Sequence, residues 1–177
     1  MGKNNIDFAK DAFDAIRNFP QCFILVGDFT NFFDNLEHQY LKKMMCEVLG
    51  VERLPQDYFS VFKNITRFSS WDWKDIVKAA GENIEERGVR KKINSKDTVL
   101  TKEQFQKSKK DIKKNVSGVG VPQGSPISAV LSNIYMIEFD KYIKRYVASK
   151  SGIYMRYSDD FIIVLPYERD AEIADFT

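Results

Sequence analysis

Histidine and cysteine are almost missing from this chain, and each scarcity narrows its chemistry. His38 is the only histidine among 177 residues, so a metal site built on imidazole has no support. It sits in the first turn of an expected helix, where a surface or capping role suits it better than catalysis. Cys22 and Cys46 are the only thiols. Both lie inside apolar patterns and read as free, buried cysteines rather than a disulfide. No run approaches the ~20 apolar residues of a membrane span, and Met1 to Lys10 has no apolar core of signal-peptide type. The expectation is a cytoplasmic protein with no membrane partner. Excess charge is also missing: the net value is +2, which by itself says nothing about nucleic acid.

What is present suits a globular domain with a large-residue core. Hydrophobic residues make up 44%, charged residues 29% and aromatics 14%, with phenylalanine the main contributor. The charge is unevenly spread. Between Gly81 and Ser117, 11 Lys or Arg stand against 6 Asp or Glu, and the rest of the chain is slightly acidic. Such a basic insert could track phosphates, or it could be a solvated loop or helix pair.

Ile6 to Phe19 has apolar residues at three- and four-residue spacing and predicts a helix, ended by Pro20. Cys22 to Val26 is a continuous apolar run of the kind that forms a buried central strand. Asn35 is placed to cap a second helix with Leu36, Tyr40, Leu41, Met44, Met45 and Val48 on one face, stopped by Gly50. Leu54-Pro55 opens another. From Ser69 to Ser117 the periodicity weakens, with a helical piece expected over Lys102 to Asn115. The loop Gly118 to Gly124 leads to Ser125-Pro126, a cap and first helical position, and a long helix to about Val147. Ser125 reads as that cap, not as a nucleophile. Ile153 to Tyr157 and Phe161 to Leu165 are strand-like and joined by Ser158-Asp159-Asp160, a hairpin. The fold class is α+β: a small antiparallel sheet with helices packed on one face.

Asp28 follows the first strand, and Asp159-Asp160 lie at the hairpin tip. If strand and hairpin are neighbours, about 4.8 Å apart, three carboxylates converge. They repel one another unless cations neutralise them. Mg²⁺ takes one or two carboxylates plus substrate phosphate oxygens, and two such ions ~3.5–4 Å apart serve phosphoryl transfer. An Asp-Asp pair alone is ordinarily just a hydrophilic turn.

The neighbouring residues change that. Asp28-Phe29-Thr30-Asn31-Phe32-Phe33-Asp34 resembles the first catalytic motif of reverse transcriptases, especially bacterial ones of the group II intron and retron type. Val121-Pro122-Gln123-Gly124-Ser125-Pro126-Ile127-Ser128 resembles their second motif, and Tyr157-Ser158-Asp159-Asp160 their Tyr-X-Asp-Asp box. The resemblance implies a polymerase palm over residues 1–177 with partial fingers, interrupted by a basic insert at 69–117. It implies RNA-directed DNA polymerase activity with two Mg²⁺ ions, for which Mn²⁺ can substitute. Asp28, Asp159, Asp160 and the carbonyl of Phe29 would hold the metals. Amides near Asn31 and Phe32 would face the triphosphate. Phe33 would be the ring that excludes a 2′-hydroxyl, Gln123 and Gly124 would border the nucleotide, and Tyr157 would lie along the primer end. The implied partners are an RNA template, a DNA or RNA primer, dNTP and a cognate structured RNA.

Two rival readings stay open: an RNA-dependent RNA polymerase on the same palm, and a non-catalytic polymerase-like binding or scaffold module. Only 27 residues precede Asp28 and 17 follow Asp160, leaving little room for fingers or thumb, so the 177 residues alone are expected to be nearly inactive. Asp28 and Gln123 are 95 residues apart, a long spacing that hints at a retron-like or phage-defence lineage. Arg156 is a basic residue that no motif assigns to nucleic acid.

Overall fold

The computed structural model describes residues 5–167. The first helix, α1 (Asn5–Arg17), presents Phe8, Ala12, Ala15 and Ile16 along one side, and Ala15 is buried. Strand β1 (Cys22–Asp28) follows, then a 3-10 turn at Phe33–Asn35 and helix α2 (His38–Leu49). Glu37, not Asn35, caps α2: its carboxylate accepts the amides of Gln39 and Tyr40, and its charge opposes the helix dipole. The Asn35 side chain is committed elsewhere, donating to the Asn31 carbonyl at 3.0 Å. Gly50 ends α2 in the left-handed conformation, φ 64°. Pro55 sits at the N-cap of α3 (Gln56–Thr66).

The next stretch is closed at its base by two short strands, β2 (Ser69–Ser70) and β3 (Lys113–Lys114), which pair Ser69 with Lys114 and Ser70 with Lys113. Between them lie α4 (Trp73–Ala79), α5 (Val89–Asn94) and α6 (Lys102–Ser108). Buried Val77, Val89 and Ile93 give this segment a small core, flanked by Trp73, Ala80 and Val99. Thr101 and Gln104 form a capping box that starts α6. The helix expected to reach Asn115 stops at Ser108, because a 3-10 turn (Lys109–Asp111) hands the chain to β3.

Helix α7 (Pro126–Tyr135) begins with Pro126 at the first turn; Ser125 holds the N-cap position but makes no side-chain cap bond. The single long helix expected from here is two. Met136, at φ −87° and ψ 0°, separates α7 from α8 (Ile137–Ser149). The break has a packing reason. Leu131 and Met136 join the main core with Phe32, Leu36, Leu41, Met45, Phe62 and Val121, whereas Val147 of α8 packs on the sheet. A straight helix would not serve both.

Strands β4 (Ile153–Tyr157) and β5 (Asp160–Pro166) complete a three-stranded antiparallel sheet in the order β1-β5-β4. The hairpin join is two residues, Ser158 and Asp159, rather than three, since Asp160 already pairs within the ladder. The β1 run is not a buried central strand. It occupies an edge, with Ile24 48% and Val26 70% exposed. The helices are not confined to one face either. Val147 of α8 packs with Tyr154 and Ile163, while Phe8 of α1 meets the ring of Tyr157 at 5.3 Å. Tyr154 and Tyr157 are three residues apart on one strand and so point to opposite faces. Both cysteines are free and half-buried. No helix among the described residues is long and apolar enough to cross a membrane.

Candidate active site

The end of the ladder brings the acidic residues side by side. Asp28 pairs with Asp160 across β1 and β5, and Asp160 pairs with Tyr157 across β5 and β4. Directly opposed residues share a face with Cβ atoms about 4.5–5.5 Å apart. Asp28, Asp160 and Tyr157 therefore form one row across the sheet. Asp159 lies in the turn beyond that row, and its carbonyl accepts the Phe29 amide at 3.1 Å. Asp28 and Asp160 are exposed and Asp159 is half-buried. Like charges placed directly opposite are destabilising, so this row favours a cation. The donors are all oxygens, which fits a hard ion such as Mg²⁺ that takes one or two carboxylates and completes its shell with water or substrate oxygens. The Phe29 carbonyl already accepts the Phe32 amide at 3.1 Å, and a carbonyl has a second lone pair. Three carboxylates are not gathered into one cage: among the described residues no group of three or more His, Cys, Asp or Glu is set to hold a metal.

Aromatic packing on the opposite face of the sheet, against α8, backs this row. The Phe29 ring lies 5.3 Å from Phe161 and 5.4 Å from Phe139 of α8. Gly27 is needed beside it, because a Cβ there would stand 2.3 Å from the Phe161 ring. Asn31 is exposed and turns the chain at φ 52°. Of the two adjacent phenylalanines, Phe32 is core at 7% exposure. Phe33 is half-buried with its ring 5.4 Å from that of Phe32.

The loop carrying Phe33 is laced to the loop carrying Gln123. The Val121 amide donates to the Phe33 carbonyl at 2.9 Å, Gly120 to Leu36 at 2.9 Å, and His38 to Gly118 at 3.0 Å. His38 Nε2 also lies 2.7 Å from the Gly120 carbonyl, so the lone histidine staples two loops. Gly120 has φ 89°, and a Cβ would meet the Asp34 carbonyl oxygen at 3.0 Å; a side chain at that crossing would be strained and would press the Asp34 backbone aside. Ser128 Oγ donates to the Pro122 carbonyl at 2.7 Å. Gln123 and Gly124 stay exposed at the tip, and nothing crowds Gly124.

Behind the hairpin lies a network with no counterpart in the motif reading. Arg156 donates from Nε and Nη2 to the two carboxylate oxygens of Asp140 on α8, at 2.9 and 2.7 Å. Nη1 reaches the Ser158 carbonyl at 2.6 Å and Asn133 Oδ1 on α7 at 3.3 Å. Tyr154 donates its hydroxyl to Asp140 at 2.7 Å. Burial pushes the Asp140 carboxyl up, but the Arg156 and Tyr154 hydrogen bonds outweigh it and hold the group below its ordinary value. Burial, reinforced by the Asp140 charge, drives the Tyr154 hydroxyl well above its usual range. Alternation along β4 was the available signal: Arg156 lies two residues from Tyr154 and shares its inward face, and a charge there requires a partner.

No protein-family model matches the chain, and no curated protein does. Among solved structures, telomerase from Candida albicans in complex with a TWJ fragment of telomeric RNA matches loosely, at 18% identity and a TM-score of 0.49. The match covers 93% of this chain and 27% of that one, so the chain spans about a quarter of that protein's length.

Proposed function

We propose that the chain is the palm of an RNA-directed DNA polymerase, which joins a dNTP to a primer end on an RNA template. The observation that carries this reading is the ladder register that sets Asp28 opposite Asp160 with Asp159 in the adjoining turn. The three motif resemblances supply the rest. Asp28, Asp159, Asp160 and the Phe29 carbonyl would hold two Mg²⁺ ions. When bound, these supply positive charge for the attacking and leaving oxygens. The chain itself positions. Phe33 excludes a 2′-hydroxyl from beneath the sugar, Gln123 and Gly124 border the nucleotide, and Tyr157 lies along the primer end. The Phe32 amide is already bonded to Phe29, which leaves the neighbourhood of Asn31 to face the triphosphate. The long segment between the first two motifs suits a bacterial retron-like or phage-defence enzyme that works with a structured RNA of its own.

Primer extension by the full-length protein on RNA and DNA templates, comparing dNTP with NTP, tests the proposal. Extension with dNTP that an Asp159→Ala/Asp160→Ala double variant abolishes is the expected result. Preference for NTP would instead mark an RNA-dependent RNA polymerase, and full activity in the double variant would remove the metal site. A second reading, a polymerase-like binding module, draws on the absence of a three-carboxylate cage among the described residues. Template binding without extension by the full protein would favour it.

A further inference from the structure

We propose that Arg156 is a positioning residue that sets the direction of the Asp159 carboxylate through the backbone of the hairpin turn. The inference rests on the polymerase reading above and adds a residue that the motifs leave without a role. Arg156 lies on the opposite face of β4 from Tyr157, because neighbours in a strand alternate. Its side chain is only 6% exposed. It therefore cannot touch a substrate lying on the acidic row, and whatever it does for that row must pass through structure.

The route is short. The Ser158 carbonyl and the Asp159 amide nitrogen belong to one planar peptide unit. The guanidinium fixes that plane by donating to the carbonyl at 2.6 Å. The next plane, which carries the Asp159 carbonyl, is fixed by the Phe29 amide at 3.1 Å. Both peptide planes flanking Asp159 are thus pinned, one from the helix side and one from β1. With its planes set, φ and ψ of Asp159 are set, and so is the direction of its Cβ. Asp28 ends the strand that supplies the second pin, so the two constraints also fix where Asp159 stands relative to Asp28.

The turn needs such restraint. Ser158 adopts φ 58°, a left-handed conformation that a non-glycine residue holds only where its surroundings enforce it. The guanidinium is itself held rigidly, bidentate to Asp140 on α8 and in contact with Asn133 on α7. Its planar fork is what allows one side chain to grip a carboxylate and a turn carbonyl together. A lysine ammonium is a single point of charge and cannot match that geometry.

The test uses the full protein and Mn²⁺ alone as the probe, with affinity read from paramagnetic relaxation of water. Arg156→Lys keeps the buried charge and is expected to fold. Mn²⁺ binding should weaken by about 10–100-fold, the usual effect of losing a partner that orients a ligand. Exchange of the Phe29 amide, which donates to the Asp159 carbonyl, should quicken while the α2 and α7 amides stay protected, and kcat for dNTP addition should fall with KM for primer-template unchanged. Unchanged Mn²⁺ affinity and unchanged exchange at Phe29 would overturn the inference and leave Arg156 as a core ion pair. If Arg156→Lys does not fold, Asp140→Asn, which retains one oxygen acceptor for the guanidinium, gives the same two readouts in weaker form, and a wild-type result there overturns it equally. The Asp159→Ala/Asp160→Ala variant separates the two ideas. Mn²⁺ affinity lost there but kept in Arg156→Lys refutes positioning alone, while affinity kept in both refutes the metal site and the positioning with it.

Discussion

Gly27 shows how tightly single residues are constrained near the acidic row. Its Cα faces the Phe161 ring, and an added methyl would have to displace a ring that Phe29 also packs against. Gly27→Ala should lower stability by about 1–3 kcal/mol, the usual cost of overpacking, read as a fall in the urea midpoint at constant slope. Phe33 poses a question of selectivity instead. Under the proposed polymerase reading, Phe33→Ala should raise NTP incorporation relative to dNTP at least several-fold in primer extension, and it should also lower stability, because the Phe33 ring packs against the main core beside Phe32. Asp140 is sensitive to acid. Its folded pKa is depressed, so its ionised form adds stability that is complete above the ordinary carboxylate value and is lost as pH falls through the depressed one. Asp140→Ala should cost about 3–5 kcal/mol at pH 7, since Arg156 would be left buried without its carboxylate. Urea melts at pH 7 and pH 3 should show that difference shrinking in acid. That Asp28 and Asp160 would meet was legible in the sequence, because each stands at the end of a strand signal, and the ladder sets them opposite one another. Arg156 and Asp140 could not be paired there: they are 16 residues apart, and only the folded sheet brings the helix to the strand.

Individual elements were legible to the extent that their signals are local. The β4–β5 hairpin announced itself by two apolar runs around a polar join, and α2 by its apolar face and its terminal glycine. The cap of α2 was misplaced because Asn35 is the commoner capping type, although Glu37 makes the bonds. The break at Met136 was invisible because its cause is two separate packing partners, not a helix-breaking residue. The position of β1 was misjudged for a related reason. A continuous apolar run says that a strand can be buried, but not how many neighbours it has. Among the described residues it is an edge strand, with Phe23, Ile24, Leu25 and Val26 between 41% and 70% exposed, and an apolar unpaired edge is a template for association. Val26→Lys should therefore reduce aggregation, measured by light scattering at high concentration, without shifting the thermal midpoint by more than a degree or so. A large drop in that midpoint would mean that Val26 is buried in solution by a further strand or partner.

At the scale of the whole molecule, charge and shape divide the chain into two regions. The acidic row sits at the end of the main sheet, while the excess of basic residues belongs to the stretch closed by β2 and β3. Some of those lysines are spent internally: Lys92 and Lys96 both reach Glu82, and Lys113 reaches Asp72. Lys109, Lys110 and Lys114 form no ion pair with the described residues, so their charge is available to phosphates. Composition located this excess but left its purpose open between a phosphate-tracking surface and a solvated loop, and the salt dependence of binding separates the two. Each phosphate neutralised lowers the slope of log K against log salt by about 0.9 on a duplex or 0.7 on a single strand. Under the proposed polymerase reading, a Lys109→Gln/Lys110→Gln/Lys114→Gln variant should weaken template binding at low salt and flatten that slope by about two to three units. An unchanged slope would assign the lysines to solubility and place template binding elsewhere on the protein.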